Sequence, residues 1–337
     1  MGKDYIRIGT IGNGFIVEEF ASAIKKVEGA EIEAIYLRPE DANTDFGKKI
    51  GVDKVYWSVE SMLEDVNINF IYIAIPNSLH YYRAKQALLA GKNVIVEKPF
   101  TSNASEAEEL VGIAKENNLF IFEAISIIHM PNFKKIEEKV KDLGDINFVV
   151  ANYSQYSGKY EKLFQGEIMN VFNPKFSTGC LMDLNYYNVY ATIALFGKPK
   201  RVSYFARKYK DQIDVSGVVV MNYDDFNAVC VGAKDSSGRN YFQIQGDKGY
   251  ICVNEGINGV NNFDIIFNEK KSEHINEQED DNRLYYEVVD FVEIVKNGDY
   301  QICYSLFNST FETLQIVEDC LSQIGISYKS PEDGIIR

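Results

Sequence analysis

Side chains able to exchange a proton near neutral pH are scarce in this sequence. Its 337 residues include only three histidines, His80, His129 and His274, and no two of them are close in sequence. The five cysteines are scattered and form no Cys-x-x-Cys pair. A metal site built from histidine or cysteine is therefore not expected, and proton transfer would fall to a lysine, a tyrosine or a carboxyl group.

A glycine turn near the start has the spacing of a dinucleotide-binding site. Residues 8–15, Ile-Gly-Thr-Ile-Gly-Asn-Gly-Phe, end a β-rich run and precede apolar residues at helical spacing. Backbone N–H groups at a helix start can receive a pyrophosphate, so we expect cofactor contacts from Gly12, Asn13, Gly14, Phe15 and Ile16. Val17 takes the third glycine position of the fingerprint, which bears on helix packing more than on phosphate binding. The alternative is a tight turn that binds no ligand.

The end of the second predicted strand bears on which cofactor binds. NAD sites place an acid there for the ribose, whereas the strand at 31–37 is followed by Arg38. A guanidinium can pair with a 2′-phosphate, so Arg38 favours NADP over NAD. The alternative is that Arg38 is a solvated turn residue and that Glu40 or Asp41 binds the ribose.

These residues need a sheet to position them, and the pattern of the chain predicts two sheets. Up to residue 125, five strand-like runs alternate with helical segments, as in a doubly wound parallel Rossmann sheet. Later runs joined by short polar turns predict an open, mostly antiparallel sheet, with helices at 181–196, 282–296 and 305–324 over one face. We therefore expect an α/β protein with a Rossmann domain at 1–125 and an α+β domain at 126–337.

The charge balance excludes several classes of partner. The chain has 35 Lys plus Arg against 49 Asp plus Glu, a net charge of −14. Such a balance argues against nucleic acid and anionic membranes, because phosphate binding needs clustered cations. No apolar run is long enough to span a bilayer, and the first residues lack the apolar core of a signal peptide. Together with the scattered cysteines, this favours the cytoplasm.

Two further motifs resemble those of a known family. Residues 73–80 read Ile-Ala-Ile-Pro-Asn-Ser-Leu-His, and residues 90–99 read Ala-Gly-Lys-Asn-Val-Ile-Val-Glu-Lys-Pro. With the glycine turn, these resemble the glucose–fructose oxidoreductase / inositol dehydrogenase / MocA (Gfo/Idh/MocA) family, over nearly the whole chain. The resemblance implies an NAD(P)-dependent oxidoreductase for sugars, cyclitols and related alcohols or carbonyls. It also implies a homodimer or homotetramer joined through the second sheet.

The resemblance assigns roles to residues of the Rossmann domain. It places Pro76 and Asn77 in the cofactor cleft and His80 beside the pyrophosphate, with a surface position at a helix start as the alternative for His80. It implies that Lys98 reaches the reacting oxygen and that Glu97 contacts the cofactor or orients the loop. A lysine at the carboxyl end of a parallel strand points toward the ligand cleft, which agrees with this role. The alternative for Lys98 is a surface residue in an X-Pro turn.

The second half of the implied site lies in residues 178–187. Many relatives have Asp-x-x-x-His on this helix, and here the pair is Asp183 and Tyr187, neighbours on one helical face. The tyrosine resembles the branch with dimeric dihydrodiol dehydrogenases and some xylose dehydrogenases. Tyr187 is then the expected proton donor beside Lys98, supported by Asp183. The alternatives are a packing role for Tyr187 and a structural role for Asp183.

We therefore expect hydride transfer between a nicotinamide and a secondary alcohol or carbonyl of a sugar, polyol or related diol. The alternative function is a dinucleotide-binding regulatory protein without turnover. No role follows from the sequence for His129 or for the aromatic-rich segment 153–176, and the individual substrate does not follow from it either.

Overall fold

A computed structural model describes residues 5–41, 44–269, 271–331 and 334, and these form two compact units. The first unit contains the described residues up to Ile125, those of Asn282–Asn308, and those from Ser330 onward. The second unit contains Ser126–Asp281 and Ser309–Lys329, except for residue 270. The first unit therefore uses two segments that are distant in sequence from its main part.

Among the described residues, the strands in chain order are β1 (Ile6–Ile11), β2 (Ala30–Tyr36), β3 (Val55–Tyr56), β4 (Phe70–Ile73), β5 (Asn93–Glu97), β6 (Ile121–Ala124), β7 (Ile146–Ser154), β8 (Arg201–Tyr209), β9 (Ile213–Asn222), β10 (Asn227–Ala233), β11 (Tyr241–Gly246), β12 (Gly249–Val253), β13 (Phe263–Phe267) and β14 (Ser272–Ile275). The α-helices are α1 (Phe15–Ile24), α2 (Phe46–Ile50), α3 (Val59–Leu63), α4 (His80–Leu89), α5 (Ala104–Asn117), α6 (Pro131–Lys139), α7 (Tyr160–Phe164), α8 (Tyr186–Phe196), α9 (Arg283–Asn297), α10 (Tyr300–Ser305) and α11 (Phe307–Gln323).

The first unit is built on a parallel sheet with the order β3-β2-β1-β4-β5-β6. All its pairings are parallel, and every residue of β4 is buried, as expected for a central strand covered on both faces. The aromatic rings of Phe20 on α1 and Phe291 on α9 stack on Tyr72 of β4 and Phe122 of β6. These two helices therefore pack on the parallel sheet, and the predicted Rossmann architecture is confirmed.

The second unit is built on an eight-stranded sheet with the order β14-β13-β12-β11-β7-β10-β9-β8. Its pairings are antiparallel except for the parallel pair of β7 and β10. Alternate residues of β7, β10 and β11 are buried on the face covered by α8, where Asn185 and Asn188 donate to backbone carbonyls of β10. The predicted mostly antiparallel sheet is also confirmed.

One predicted helix lies on a different sheet from the one expected. The segment 282–296 forms α9, close to its expected bounds, but it belongs to the first unit instead of covering the antiparallel sheet. Its N-cap Asn282 donates to the carbonyl of Glu19 on α1, and Phe291 stacks on Phe122. The apolar spacing of the helix predicts that one face is buried but carries no information about which sheet buries it.

Candidate active site

The carboxyl ends of three neighbouring parallel strands carry the motifs of the first unit. β1 ends before the glycine turn, β4 before Pro76 and Asn77, and β5 at Glu97, directly before Lys98. Because β1, β4 and β5 are adjacent, the structure brings these segments to one edge of the sheet. This edge is where open α/β sheets bind ligands.

The glycine turn has the backbone needed for close approach by a ligand. Gly12 has φ +133°, and an added Cβ would overlap the carbonyl oxygen of Ala74 in the loop after β4. Gly14 is the N-cap of α1, where an added Cβ would meet no atom within 4 Å. Phe15 follows with 72% of its surface exposed. The open helix start therefore suits a bound phosphate group.

Val17, at the third glycine position, contributes to the core of the first unit. Its side chain is fully buried, and its N–H donates to the carbonyl of Gly14 at 3.0 Å. The residue thus closes the first turn of α1 and packs inward, away from the open helix start.

Arg38 is held at the end of β2 by two acidic neighbours. Its Nε donates to Oδ2 of Asp41 at 2.8 Å, and Nη1 lies 3.2 Å from Oε1 of Glu40. The hydrogen bond from Arg38 lowers the pKa of Asp41, and the Asn13 side chain contributes in the same direction. Asp41 therefore links Arg38 to the glycine turn, while 58% of the arginine side chain remains exposed.

His80 joins two loops at the same sheet edge. Its Nε2 lies 2.8 Å from the carbonyl oxygen of Ile75, and its Nδ1 lies 3.0 Å from that of Pro99. The ring is buried, so the surface alternative is wrong, and burial lowers the pKa of His80. Both ring nitrogens thus face backbone carbonyls of the segments that carry Pro76 and Lys98.

Lys98 and Glu97, neighbours in sequence, differ in burial. Lys98 is half-buried, and the Lys98–Pro99 peptide bond is cis. Glu97 is buried and accepts a hydrogen bond of 2.6 Å from the hydroxyl of Tyr72. Burial raises the pKa of Glu97, while Tyr72, Arg283 and Lys98 oppose that shift. The hydrogen bond holds the Glu97 carboxyl against β4, and its role, to contact the cofactor or to orient the loop, stays a prediction.

A second buried acid in this region was not predicted from the sequence. Glu287 of α9 is fully buried, and neither carboxyl oxygen has a hydrogen-bond partner among the described residues. Burial raises the pKa of Glu287 well above its ordinary value, and the charge of Glu97 raises it further. In the sequence Glu287 is one acid among many on an amphipathic helix, and no local pattern distinguishes it.

The second unit carries Asp183 and Tyr187 on a helix that begins irregularly. Residues Leu181–Asn185 form a π-helix, and α8 continues from Tyr186, whereas the sequence predicted one α-helix from 181 to 196. Asp214 fixes the start, because its Oδ2 accepts from the N–H of Leu181 at 2.6 Å. Gly179, with φ +122°, leaves no room for a Cβ beside Asp214. π-helical turns often occur at functional sites.

Asp183 is paired with a buried lysine that the sequence analysis missed. Lys234 follows β10, only 4% of its side chain is exposed, and its Nζ donates to Oδ2 of Asp183 at 2.6 Å. One third of the Asp183 side chain, 34%, is exposed. Lys234 lies 51 residues after Asp183, and its pairing depends on the sheet rather than on local spacing.

The remaining aromatic and histidine candidates of the second unit are largely buried. Tyr187 is buried, with its ring 6.1 Å from that of Tyr153. Phe172 is buried in a small cluster with Tyr160, Leu163, Ile213 and Val215, so the segment 153–176 packs against β9. His129 is also buried, at the end of a short 3₁₀ helix.

Comparison with known proteins identifies the family. Residues 6–124 match the GFO/IDH/MocA oxidoreductase family with its NAD-binding Rossmann fold, and residues 133–252 match the GFO/IDH/MocA C-terminal domain. The chain is 30% identical to scyllo-inositol 2-dehydrogenase (NADP(+)) IolU of Bacillus subtilis, over 97% of this chain and 99% of that protein. This chain belongs to the Gfo/Idh/MocA family. The predicted family is therefore confirmed.

Other Gfo/Idh/MocA proteins and similar folds extend the comparison. Trans-1,2-dihydrobenzene-1,2-diol dehydrogenase of Sus scrofa is 27% identical over 65% of this chain and 64% of that protein. The crystal structure of KijD10, a 3-ketoreductase from Actinomadura kijaniata in complex with NADP and TDP-benzene, has a TM-score of 0.83 at 21% identity, covering 96% of this chain and 98% of that one. The structural similarity to KijD10 shows that the two chains share a fold.

The part of the chain that the structure describes contains neither a metal-ligating cluster nor a membrane-spanning helix. Within residues 5–41, 44–269, 271–331 and 334, no group of three or more metal-ligating side chains is assembled. No helix in that part of the chain is long and apolar enough to cross a membrane.

Proposed function

We propose that this Gfo/Idh/MocA protein is an oxidoreductase that uses NADP in preference to NAD. It interconverts a secondary alcohol and a carbonyl of a polyol, a sugar or a related diol. The observation that carries the proposal is the glycine turn, which lies at the same sheet edge as the turn with Lys98. Similarity to dehydrogenases named for an inositol and for a dihydrodiol supports the substrate class.

The first unit supplies the residues proposed to bind the cofactor. The open start of α1, from Gly12 to Ile16, would receive the pyrophosphate, and Pro76 and Asn77 would border the cleft. His80 lies between the loops after β4 and β5, with one ring nitrogen near a carbonyl oxygen of each loop. When bound, the nicotinamide supplies or accepts the hydride.

Three residues are proposed to act on the substrate. Lys98 stabilises negative charge on the reacting oxygen, and the hydroxyl of Tyr187 gives that oxygen a proton in reduction and takes it back in oxidation. Asp183 supports the reaction as a carboxylate, in agreement with its pairing to Lys234.

The preference for NADP rests on Arg38. A 2′-phosphate carries negative charge that pairs well with a guanidinium, and Arg38 keeps more than half of its side-chain surface exposed. The similar B. subtilis dehydrogenase is named for NADP(+). Asp41, already engaged by Arg38 and Asn13, is less suited to bind the ribose of NAD.

We also propose that the protein is a cytoplasmic homodimer or homotetramer joined through the second sheet. The sheet face opposite the buried one carries half-exposed apolar residues, including Val150, Val220 and Val229 on adjacent strands. All five cysteines are free, which agrees with a reducing compartment.

A substrate screen tests the proposed function. Purified protein is incubated with inositols, aldoses and vicinal diols, each with NADP and with NAD, while absorbance of the reduced cofactor is followed. We expect turnover with at least one cyclitol or diol, and faster turnover with NADP. Tight NADP binding without turnover of any of these alcohols or of the matching ketones would instead favour a dinucleotide-binding regulatory protein.

A further inference from the structure

Lys234 is a buried cation that connects three segments of the second unit. Its Nζ donates to Oδ2 of Asp183 at 2.6 Å and lies 3.5 Å from the carbonyl oxygen of Val171. The same nitrogen lies 5.4 Å from the centre of the Phe172 ring. The Lys234 side chain thus contacts both the π-helix, through Asp183, and the segment that contains Val171 and Phe172.

The backbone around Lys234 holds the side chain in place. The Lys234 N–H donates to the carbonyl of Val215 on β9, and its carbonyl accepts from the N–H of Ser157. With its main chain fixed and only 4% of its side chain exposed, Lys234 has little freedom to turn toward water. Burying an ammonium is costly unless charged partners are present. Asp183 is the hydrogen-bonded partner, and the charge of Lys234 also opposes the rise in the pKa of Asp214 that burial causes.

The pairing determines what Asp183 can do chemically. An ammonium at hydrogen-bond distance favours the ionised carboxyl, which accepts hydrogen bonds and cannot donate a proton. A carboxylate has about four lone-pair positions, and one third of the Asp183 surface is exposed. Asp183 is therefore suited to accept a hydrogen bond from a ligand while Lys234 holds it from the buried side.

We propose that Lys234 is a positioning residue of the oxidoreductase: it fixes Asp183 as an ionised acceptor and ties the segment 170–172 to it. This inference rests on the proposed function, in which Asp183 supports the reaction. Lys234 acts through Asp183 and is not itself placed on the substrate. The proton donor is then a group other than Asp183, in agreement with the role proposed for Tyr187.

A double-mutant cycle tests this role. The variants are Lys234→Met, Asp183→Asn, the double variant, and Lys234→Arg as the conservative replacement. Lys200→Met is the matched control, because Lys200 also pairs with an aspartate of the second unit but is exposed. For each protein, kcat and KM are measured as functions of pH, and the NADPH dissociation constant is measured by fluorescence.

We expect Lys234→Met to lower kcat by about a hundredfold, the size of loss typical for a misplaced catalytic group. The NADPH dissociation constant should stay within about twofold, since a tenfold change needs about 1.4 kcal/mol of binding energy. The acidic limb of the kcat profile should move to higher pH, because the unpaired carboxyl takes up a proton more readily. Lys234→Arg should restore much of kcat, and Lys200→Met should resemble the wild type.

In the Asp183→Asn background, Lys234→Met should add little further loss of kcat. The role of Lys234 would be overturned if Lys234→Met lowered kcat equally in the wild-type and Asp183→Asn backgrounds. It would also be overturned if the acidic limb of the kcat profile of Lys234→Met stayed in place. If Lys234→Met alone does not fold, the double variant carries the test, because it removes both charges of the Lys234–Asp183 pair. It should fold and should match Asp183→Asn in kcat, whereas a further large loss would contradict the proposal.

Urea unfolding of the wild type, Lys234→Met, Asp183→Asn and the double variant distinguishes a failure of the proposed function from a failure of the role of Lys234. Lys234→Met should lower the urea concentration at the unfolding midpoint, and the added Asp183→Asn substitution in the double variant should restore it. Both results together would show that the two residues are coupled, even if no substrate turns over. That result would contradict the proposed function alone. Turnover of a polyol without such coupling would contradict the role of Lys234 alone.

Discussion

Arg38 is the residue proposed to distinguish NADP from NAD. Its guanidinium is oriented by Asp41 and Glu40 and remains largely exposed at the end of β2. We expect Arg38→Ala to raise the NADPH dissociation constant about tenfold, the loss of one charge-assisted contact worth about 1.4 kcal/mol. The NADH constant should change little. Fluorescence titration with both cofactors measures this, and equal effects on both would contradict the assignment.

The two glycines of the turn should respond differently to the same substitution. In Gly12→Ala the new Cβ overlaps the Ala74 carbonyl at a positive φ, so the variant should lose stability as well as cofactor binding. In Gly14→Ala the Cβ enters open space at the start of α1, so the fold should be retained.

The Gly14→Ala variant should nevertheless bind NADPH more weakly, because its methyl group would fill part of the open space proposed to receive the pyrophosphate. Thermal unfolding and NADPH titration of both variants separate the two effects. A Gly14→Ala protein with unchanged NADPH affinity would place the pyrophosphate elsewhere.

At the residue scale, the sequence predicts what depends on local spacing. Gly12 and Gly14 lie in a turn whose backbone follows from their order, and Lys98 follows a recognisable strand end. Lys234 and Glu287 were missed, because their partners lie on distant segments of the chain. Their burial arises only in the folded units, so the residues next to them in the sequence do not indicate it.

At the element scale, helix α9 places an acid against the parallel sheet. The pKa of Glu287 is raised by burial and by Glu97, so the folded unit holds a proton that the unfolded chain releases above a pKa of about 4.3. A native state that binds the extra proton loses stability as pH rises, by up to about 1.4 kcal/mol per pH unit for one group. The free energy of unfolding continues to fall until the pH exceeds the raised pKa of Glu287.

Glu287→Gln should remove this pH dependence. The free energy of unfolding in urea is measured at several pH values from about 5.5 to 8.5, a range above the ordinary carboxyl pKa. The variant should gain stability relative to the wild type as pH rises. Glu293→Gln, on an exposed position of the same helix, is the control and should follow the wild type. Parallel curves for wild type and Glu287→Gln would show that Glu287 is already ionised.

Elements with strong patterns were predicted well, and weak or irregular ones were not. The bounds of β10 and β13 agree with their predicted runs, since both strands have apolar residues at strand spacing. The short edge strands β3 and β14 were missed, because their few residues carry little pattern. The π-helical start at Leu181–Asn185 was predicted as ordinary α-helix, because its residue types suit both.

At the scale of the whole molecule, the open face of the second sheet predicts self-association. Phe205 lies on the edge strand β8 with 68% of its surface exposed, and it pairs with Val218 of β9. Phe205→Asp should shift the protein toward monomers, because it introduces a charge into an apolar interface. Light scattering after size exclusion measures the mass.

Phe164→Asp is the matched control for this change, because Phe164 is also exposed but lies on α7. It should leave the mass unchanged. A wild-type protein that is monomeric at micromolar concentration, or a Phe205→Asp protein of unchanged mass, would exclude this face as the interface.

The two-sheet architecture was predictable because each sheet has its own pattern of strands and connections. The set of segments that forms the first unit was not predictable. Helix α9 follows all the strands of the second sheet in the chain and yet belongs to the first unit. Helical periodicity is a local property, whereas the choice of packing partner is decided by surfaces distant in sequence.

Hydride transfer assisted by Lys98 is the core of the proposed mechanism, and deuterium in the nicotinamide makes this transfer visible. NADPH that is fully deuterated at C4 of the nicotinamide is supplied with the ketone of an accepted cyclitol or diol, and the product is analysed by mass spectrometry and NMR. The wild type should place one deuterium on the new alcohol carbon. Lys98→Ala should bind NADPH with unchanged affinity and form this product at least about a hundredfold more slowly, as expected for loss of charge stabilisation at the reacting oxygen. Product without deuterium would contradict hydride transfer from the nicotinamide, and a Lys98→Ala protein as fast as the wild type would contradict the role of Lys98.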